Sequence, residues 1–502
     1  MLSAPARGRA WLSTPAVRDM GIERLWLIGA LATAYIVTAG SATLTGDTWW
    51  AMRMGAELLQ HGLAANTTVL AHAPAQGVVG NGQWLAQILL YLTYVGGGEL
   101  ALRTLTGLSL VLGVALTYLA GRRTGAGVRM ASLAALLTVL LASSNGSVRS
   151  QSLCFVLFGA LLYILESRHV HSRLVWAILP LVVLWANLHG SFLLAPVVVG
   201  LTAVGDAVPA MRGRRREALG PVLCLGSVAL LAAVAAMLNP SGIRVYAYVL
   251  QVVGDPVVRM VTEWQPTSWS EPTGKAMAVS VGCLVLVMLG SRRWPRWPDV
   301  FVLGALGLLA LSAQRNVVWW GFALAPVLAR HAQLAIGSRV RPSSRLADRP
   351  RRTTQNVALA ACLVLVAAFS PIWRPALADG ITGQDSSLEF SPRAAVDVIA
   401  ELPAGRRLFH HQPWAGYLAW RLWPRHLPFV DVRIEAHSLA VWTDWDTINR
   451  GAPGWESLLR EYQVDALLLS LDRQPDLVRQ VRQSAEWEDR FMADGAVLYV
   501  RR

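Results

Sequence analysis

The chain has 502 residues, 54% of them hydrophobic and 15% charged, where a typical soluble domain carries roughly 25% charged residues. That composition excludes a disordered protein and argues against a wholly soluble enzyme. The net charge is +14, and Lys275 is the single lysine among 45 basic residues; such an arginine excess is a nucleic-acid signature only if the positive-inside bias of membrane proteins does not account for it.

Apolar runs that meet or approach the roughly 20 residues of a membrane span begin near residues 25, 101, 130, 151, 174, 191, 218, 276, 299, 317 and 353. They predict about eleven transmembrane helices. The first run exceeds the roughly 7–15 residues of a signal-peptide core, so it reads as a retained anchor. Trp84 to Val95 is apolar but short and runs into Gly96-Gly97-Gly98, which predicts a re-entrant or interfacial helix. With a cytoplasmic N-terminus, the inner segments 1–24, 121–129, 167–173, 211–217, 291–297 and 330–352 hold 23 basic residues. The outer segments before the last span hold seven. That asymmetry sets the predicted orientation in the cell membrane.

The composition changes after the eleventh run. Residues 1–371 carry +17 and residues 372–502 carry −3. The basic excess therefore serves orientation, and no nucleic-acid partner is implied. The predicted organisation is a cytoplasmic segment over 1–24, a multi-spanning domain over 25–371, and an extracytoplasmic α/β domain over 372–502. In the last, helices are expected around 394–402, 415–422, 438–449, 455–462 and 475–483. Strands are expected around 407–410, 427–432, 466–470 and 496–500. About 120 residues suffice for one such domain. The four cysteines lie inside apolar runs without zinc-type spacing.

Polar residues at the outer face are the candidate functional groups, because ionisable side chains at a membrane edge are costly. Asp47 opens the stretch Gly46-Asp47-Thr48-Trp49-Trp50-Ala51-Met52-Arg53, which predicts an interfacial helix near 48–61 with Trp50 on its apolar face and Arg53 on the other. Asp47 equally suits the N-cap of that helix. Arg149 and Arg315 are phosphate-binding candidates through bidentate guanidinium contacts, or snorkelling residues. His189 joins them, or simply satisfies a helix break. Trp84, Asn239, Glu263 and Asn316 complete the outer-face set, with Glu263 also a candidate structural partner for an arginine. Asp431 and Arg433 follow a predicted strand, as functional groups or as an internal ion pair. No P-loop, no GxGxxG after a strand, no HExxH and no GxSxG occurs.

The layout Asp47-Thr48-Trp49-Trp50, Gln83-Trp84-Leu85-Ala86, Asn187-Leu188-His189-Gly190, Asn239-Pro240, Glu263-Trp264, Arg315-Asn316, Trp414-Ala415-Gly416-Tyr417-Leu418 and Asp431-Val432-Arg433 resembles that of a group of bacterial membrane proteins. A cytoplasmic N-terminus, a first span ending in an acidic residue, an interfacial helix in the first outer loop and a soluble outer domain after the last span together resemble the GT-C superfamily of multi-spanning glycosyltransferases, in particular the bacterial family-39-like proteins related to protein mannosyltransferases and lipid A sugar transferases. The resemblance implies transfer of a sugar from a polyprenyl-phosphate donor in the bilayer to an extracytoplasmic glycan, lipid or protein. Asp47 matches the acidic catalytic residue of the first outer loop and would be the general base. Arg149, Arg315 and His189 would lie toward the donor phosphate, with Trp50, Arg53, Trp84, Asn239, Glu263, Asn316, Asp431 and Arg433 as further substrate contacts. The second acid that the family places beside the first is Thr48 here. No cofactor is assigned, and a divalent metal is left open. The rival classes are a transporter or flippase for a lipid-linked glycan, which would line its whole path with polar groups, and an assembly protein with a degenerate catalytic face.

Overall fold

A computed structural model describes residues 21–40, 42–63, 69–76, 82–211, 219–337, 353–373 and 391–502. Residues 1–20 of the expected cytoplasmic segment 1–24 and the start of the expected tail domain lie outside these. Helices stand at every expected span position. We number them α1 (Ile22–Ala39), α2 (Gly46–His61), α3 (Trp84–Arg123), α4 (Val128–Ala142), α5 (Phe155–Ser167), α6 (Ile178–Leu188), α7 (Leu194–Met211), α8 (Leu219–Ala235), α9 (Arg244–Gly254), α10 (Pro272–Ser291), α11 (Trp297–Ser312), α12 (Val317–Gly337) and α13 (Thr353–Ala368). Among the described residues, five stretches are long and apolar enough to cross a membrane: Ile22–Ala39, Trp84–Arg123, Ser150–Ser167, Gly190–Pro209 and Pro272–Ser291. The apolar stretch from Trp84 and the following span form one 40-residue helix broken at Gly97 and Gly98, where Gly98 has φ 61° and ψ −153°. That conformation suits a residue without Cβ. The bundle core is aromatic: Phe158 packs edge-on against Trp319 with ring centroids 5.2 Å apart and against Trp185 at 6.0 Å.

Residues 391–502 form a five-stranded sheet of order β2-β1-β3-β5-β4 with helices on it. The strands are β1 (Arg407–His410), β2 (Leu427–Pro428), β3 (Ala466–Ser470), β4 (Trp487–Ala493) and β5 (Ala496–Arg501), and the helices are α14 (Arg393–Glu401), α15 (Ala415–Leu422), α16 (Leu439–Asn449), α17 (Trp455–Glu461) and α18 (Pro475–Gln483). β1 runs parallel to β2 and β3, while β5 is antiparallel to β3 and β4. The expected strand over 427–432 shortens to Leu427–Pro428, and β4 was not expected. Its backbone carries Glu488, Asp489 and Arg490 outward at the sheet edge, a charged edge of the kind that blocks further pairing and hides the apolar alternation of a strand.

The helix expected to lie open at the interface is buried on nearly all sides. Trp49, Trp50, Met52 and Met54 of α2 share one apolar core with Leu90 and Leu102 of α3 and with Leu408, Tyr417, Leu418 and Leu468 of the sheet unit. Trp49 lies edge-on to Tyr417 at 5.0 Å and to Tyr94 at 5.8 Å. A Cβ on Gly416 would sit on the Gly46 carbonyl, so the two chains meet backbone to backbone. The amphipathic pattern read from the sequence marks the wider arc of a helix held between two layers, with Arg53 paired to Glu57 on the remaining side.

Candidate active site

Asp47 enters the site through the start of α2. The N-cap is Thr45, whose side chain forms a capping box with Thr48; the alternative that Asp47 caps this helix does not hold, since Asp47 lies within its first turn. The Thr48 hydroxyl also donates to the Val148 carbonyl, and the Val148 N–H donates to the Thr43 carbonyl at 3.1 Å. These two bonds bring Arg149 beside Asp47. The position where a second acid is expected therefore holds a donor, which a carboxylate could not replace.

Glu263 joins the arginines. Its carboxylate takes Arg149 Nη1 on one oxygen and Arg315 Nη1 on the other at 3.1 Å. Arg149 Nε donates to Ser147 Oγ at 2.6 Å, and Arg315 Nη2 donates to Gln151 Oε1 at 2.9 Å. The Arg315 guanidinium lies 4.3 Å from the Trp264 ring centre, a cation–π contact. Burial pushes the Glu263 carboxyl up, but the two guanidinium groups outweigh it and hold the pKa at about 2.

These groups line a cavity of about 550 Å³ together with Asp47, Trp50, Gln83, His189, Tyr248, Gln412, Arg433 and Glu435. Asp47 keeps exposed surface and is one of the residues that line this cavity. Burial raises its pKa, opposed by Arg149 and Arg315 and reinforced by Glu263, so the carboxylate is more basic than a surface aspartate. Burial, and then Arg315 and Arg149, lower the His189 pKa to about 3, while its Nδ1 accepts from the Ser191 N–H at 3.0 Å. The imidazole is neutral, so it offers hydrogen bonding to a phosphate and no charge.

Five of the expected site residues stand elsewhere. Arg53 is not among the cavity-lining residues and pairs with Glu57. Trp84 Nε1 donates to Asn187 Oδ1 at 2.6 Å, and Asn239 Nδ2 donates to the Ala186 carbonyl at 2.9 Å and to Asn187 Oδ1 at 3.2 Å. This polar knot pins α3, α6 and the end of α8 beside a separate, mostly apolar cavity of about 710 Å³. Asn316 Nδ2 donates to the Leu309 carbonyl at 3.3 Å, tying down the end of α11. Asp431 lies behind the wall as the buried partner of Arg433, at 3.0 Å, and accepts from the Leu70 N–H at 2.9 Å. Reasoning from the sequence missed Gln83, Gln151, Tyr248, Gln412 and Glu435. Glu435 carried a usable signal, as an acid two residues beyond Arg433; the others are polar residues without a local pattern. Among the described residues, no group of three or more His, Cys, Asp or Glu side chains is placed to hold a metal ion.

No protein-family model matches the sequence, and no curated protein matches it. Solved structures do resemble it. The arabinofuranosyltransferase AftD from Mycobacteria superposes with a TM-score of 0.51 at 16% identity, covering 95% of this chain and 41% of AftD, so the chain spans about two fifths of that protein. ArnT from Cupriavidus metallidurans, solved bound to undecaprenyl phosphate, gives a TM-score of 0.49 at 14% identity, covering 95% of this chain and 97% of ArnT. The chain thus shares the multi-helical fold of the matched region of AftD.

Proposed function

We propose that this chain is a membrane glycosyltransferase of the cell envelope, moving a hexosyl or pentosyl group from a polyprenyl-phosphate donor to an extracytoplasmic glycan, lipid or protein. The observation that carries the reading is the meeting of Asp47 with the Arg149–Glu263–Arg315 cluster in one cavity. In this reading the chain crosses the membrane eleven times from a cytoplasmic N-terminus, and the sheet unit roofs the cavity outside. GT-C architecture supports glycosyl transfer by analogy of fold.

Asp47 takes the proton of the acceptor hydroxyl as that oxygen attacks the anomeric carbon. The bond from that carbon to the donor phosphate oxygen breaks, and configuration inverts in this single displacement. Charge grows on the departing phosphate, where Arg149 and Arg315 stabilise it, with His189 as a neutral hydrogen-bonding partner. Burial and the neighbouring Arg149 disfavour the Arg315 cation, only partly offset by Glu263 and Asp47, so an incoming anion relieves this site. The raised Asp47 pKa suits a base working nearer to neutral pH.

Membranes containing the protein, supplied with radiolabelled polyprenyl-phosphate sugars, should transfer label, and Asp47→Asn should abolish transfer while keeping the wild-type melting temperature. Transfer persisting in the variant removes Asp47 from the mechanism. Absence of transfer with every donor class defeats the enzyme reading in favour of an assembly role.

A further inference from the structure

Tyr248 and Glu435 meet across the cavity wall although one belongs to α9 and the other to the turn after β2. Both residues are buried, at 6% and 5% exposure, and both line the cavity. Gln83 Nε2 donates to the Tyr248 hydroxyl at 3.3 Å. The turn carrying Glu435 is clamped from outside: Gln76 Nε2 donates to the Glu435 carbonyl at 3.3 Å and to the His437 carbonyl at 3.0 Å. Burying a carboxyl and a phenol costs stability that apolar residues of the same size would not, yet the fold spends several hydrogen bonds on fixing them at a cavity surface.

We infer that Tyr248 and Glu435 form a second subsite of this cavity, which binds the hydroxyl groups of a neutral sugar acceptor. The inference rests on the proposed transferase reading and adds the acceptor's chemistry to it. The cavity's arginines are already engaged by carboxylates: Arg149 and Arg315 pair with Glu263, and Arg433 pairs with Asp431 at 3.0 Å and lies 4.9 Å from the Trp50 ring centre. The Glu435 carboxyl and the Tyr248 phenol line the same cavity. Burial raises the pKa of both Glu435 and Tyr248. The carboxyl accepts from a sugar hydroxyl and the phenol both donates and accepts, which matches vicinal hydroxyls, and neither group offers an anionic glycan a cation to pair with.

The test uses the full chain in lipid nanodiscs on an array of neutral and anionic oligosaccharides, with undecaprenyl phosphate binding measured on the same preparations. The wild type should bind neutral glycans in preference to anionic ones. Tyr248→Phe and Glu435→Ala should each weaken that binding about tenfold, the scale of one lost hydrogen bond, with undecaprenyl phosphate binding unchanged. Glu435→Gln keeps a donor and an acceptor and should restore binding, which a purely structural clasp between α9 and the turn would not require. No neutral glycan bound, a preference for anionic glycans, or equal binding by Tyr248→Phe overturns the subsite. Loss of undecaprenyl phosphate binding by the wild type counts against the donor reading alone.

Discussion

Replacing Glu263 with glutamine isolates the charge that holds the two cavity arginines together. The Glu263 pKa falls from 4.5 to about 2 because Arg315 and Arg149 overcome the effect of burial. A drop of roughly 2.5 units, at about 1.36 kcal/mol per unit, is worth about 3 kcal/mol, and the side chain is 29% exposed, so little is lost to solvent screening. Breaking a buried pair costs about 3–5 kcal/mol by comparison. A depressed carboxylate pKa gives stability that is full above the unfolded value near 4.5 and lost as pH falls through the folded value near 2. Glu263→Gln should therefore be about 3 kcal/mol less stable than the wild type at pH 7, with less than half of that difference remaining at pH 3. Denaturant unfolding in nanodiscs at the two pH values measures it. A difference below about 1 kcal/mol at pH 7, or one that pH 3 leaves unchanged, refutes the account. A second readout follows from the same geometry: Glu263 raises the Asp47 pKa, so the acid limb of any transfer activity should move to lower pH in the variant.

Two further substitutions probe how Asp47 is placed. Thr48→Val keeps volume but removes the donor to the Val148 carbonyl; it should cost about 1 kcal/mol of stability and lower the transfer rate through a displaced Arg149, with restored rate in Thr48→Ser and wild-type rate in Thr48→Val counting against the tie. Gly416→Val places a side chain against the Gly46 carbonyl; overpacking of this kind costs about 1–3 kcal/mol or more, and limited proteolysis should then cut between the sheet unit and the bundle, whereas wild-type resistance would mean the two backbones do not need this contact.

The architecture was legible where one element carried its own signal. Eleven apolar runs correspond to helices, and the glycine triplet at 96–98 marks the break in α3, because both depend on local composition. Arg149 and Arg315 stood out for a different reason: positive-inside bias explains arginines on inner loops, and these two fall where it predicts few. Burial of α2 was not legible, since a helix with an apolar arc and a polar strip looks alike whether lipid or protein covers the arc. β2 is short because the segment at 70–76 takes over: the His72 and Ala73 N–H groups donate to the Pro428 and Phe429 carbonyls at 2.9 and 3.0 Å. A partner more than 350 residues away leaves no trace in local periodicity. The same holds for Tyr248, whose meaning exists only in the tertiary arrangement.

The site is thus assembled from short stretches near residues 47, 83, 149, 189, 248, 263, 315 and 433, and backbone contacts fix their relation. Val148 against Thr43 and Thr48 ties the segment between α4 and α5 to the start of α2. Gly46 against Gly416 ties the start of α2 to the sheet unit. The Asp431 carboxylate, held by Arg433 and by the Leu70 N–H, ties the roof to the chain between α2 and α3. In the proposed reaction the base lies on α2 beside the first two of these ties, in one cavity with the arginine cluster and with Tyr248 and Glu435. A rigid junction matters there, because a carboxylate that must meet an acceptor oxygen beside a departing phosphate loses most of its effect with an ångström of misplacement. Thr48, where the sequence resemblance leads one to expect a second acid, instead holds that junction through its hydroxyl, and the carboxyls that line the cavity with Asp47, Glu263 and Glu435, come from distant parts of the chain.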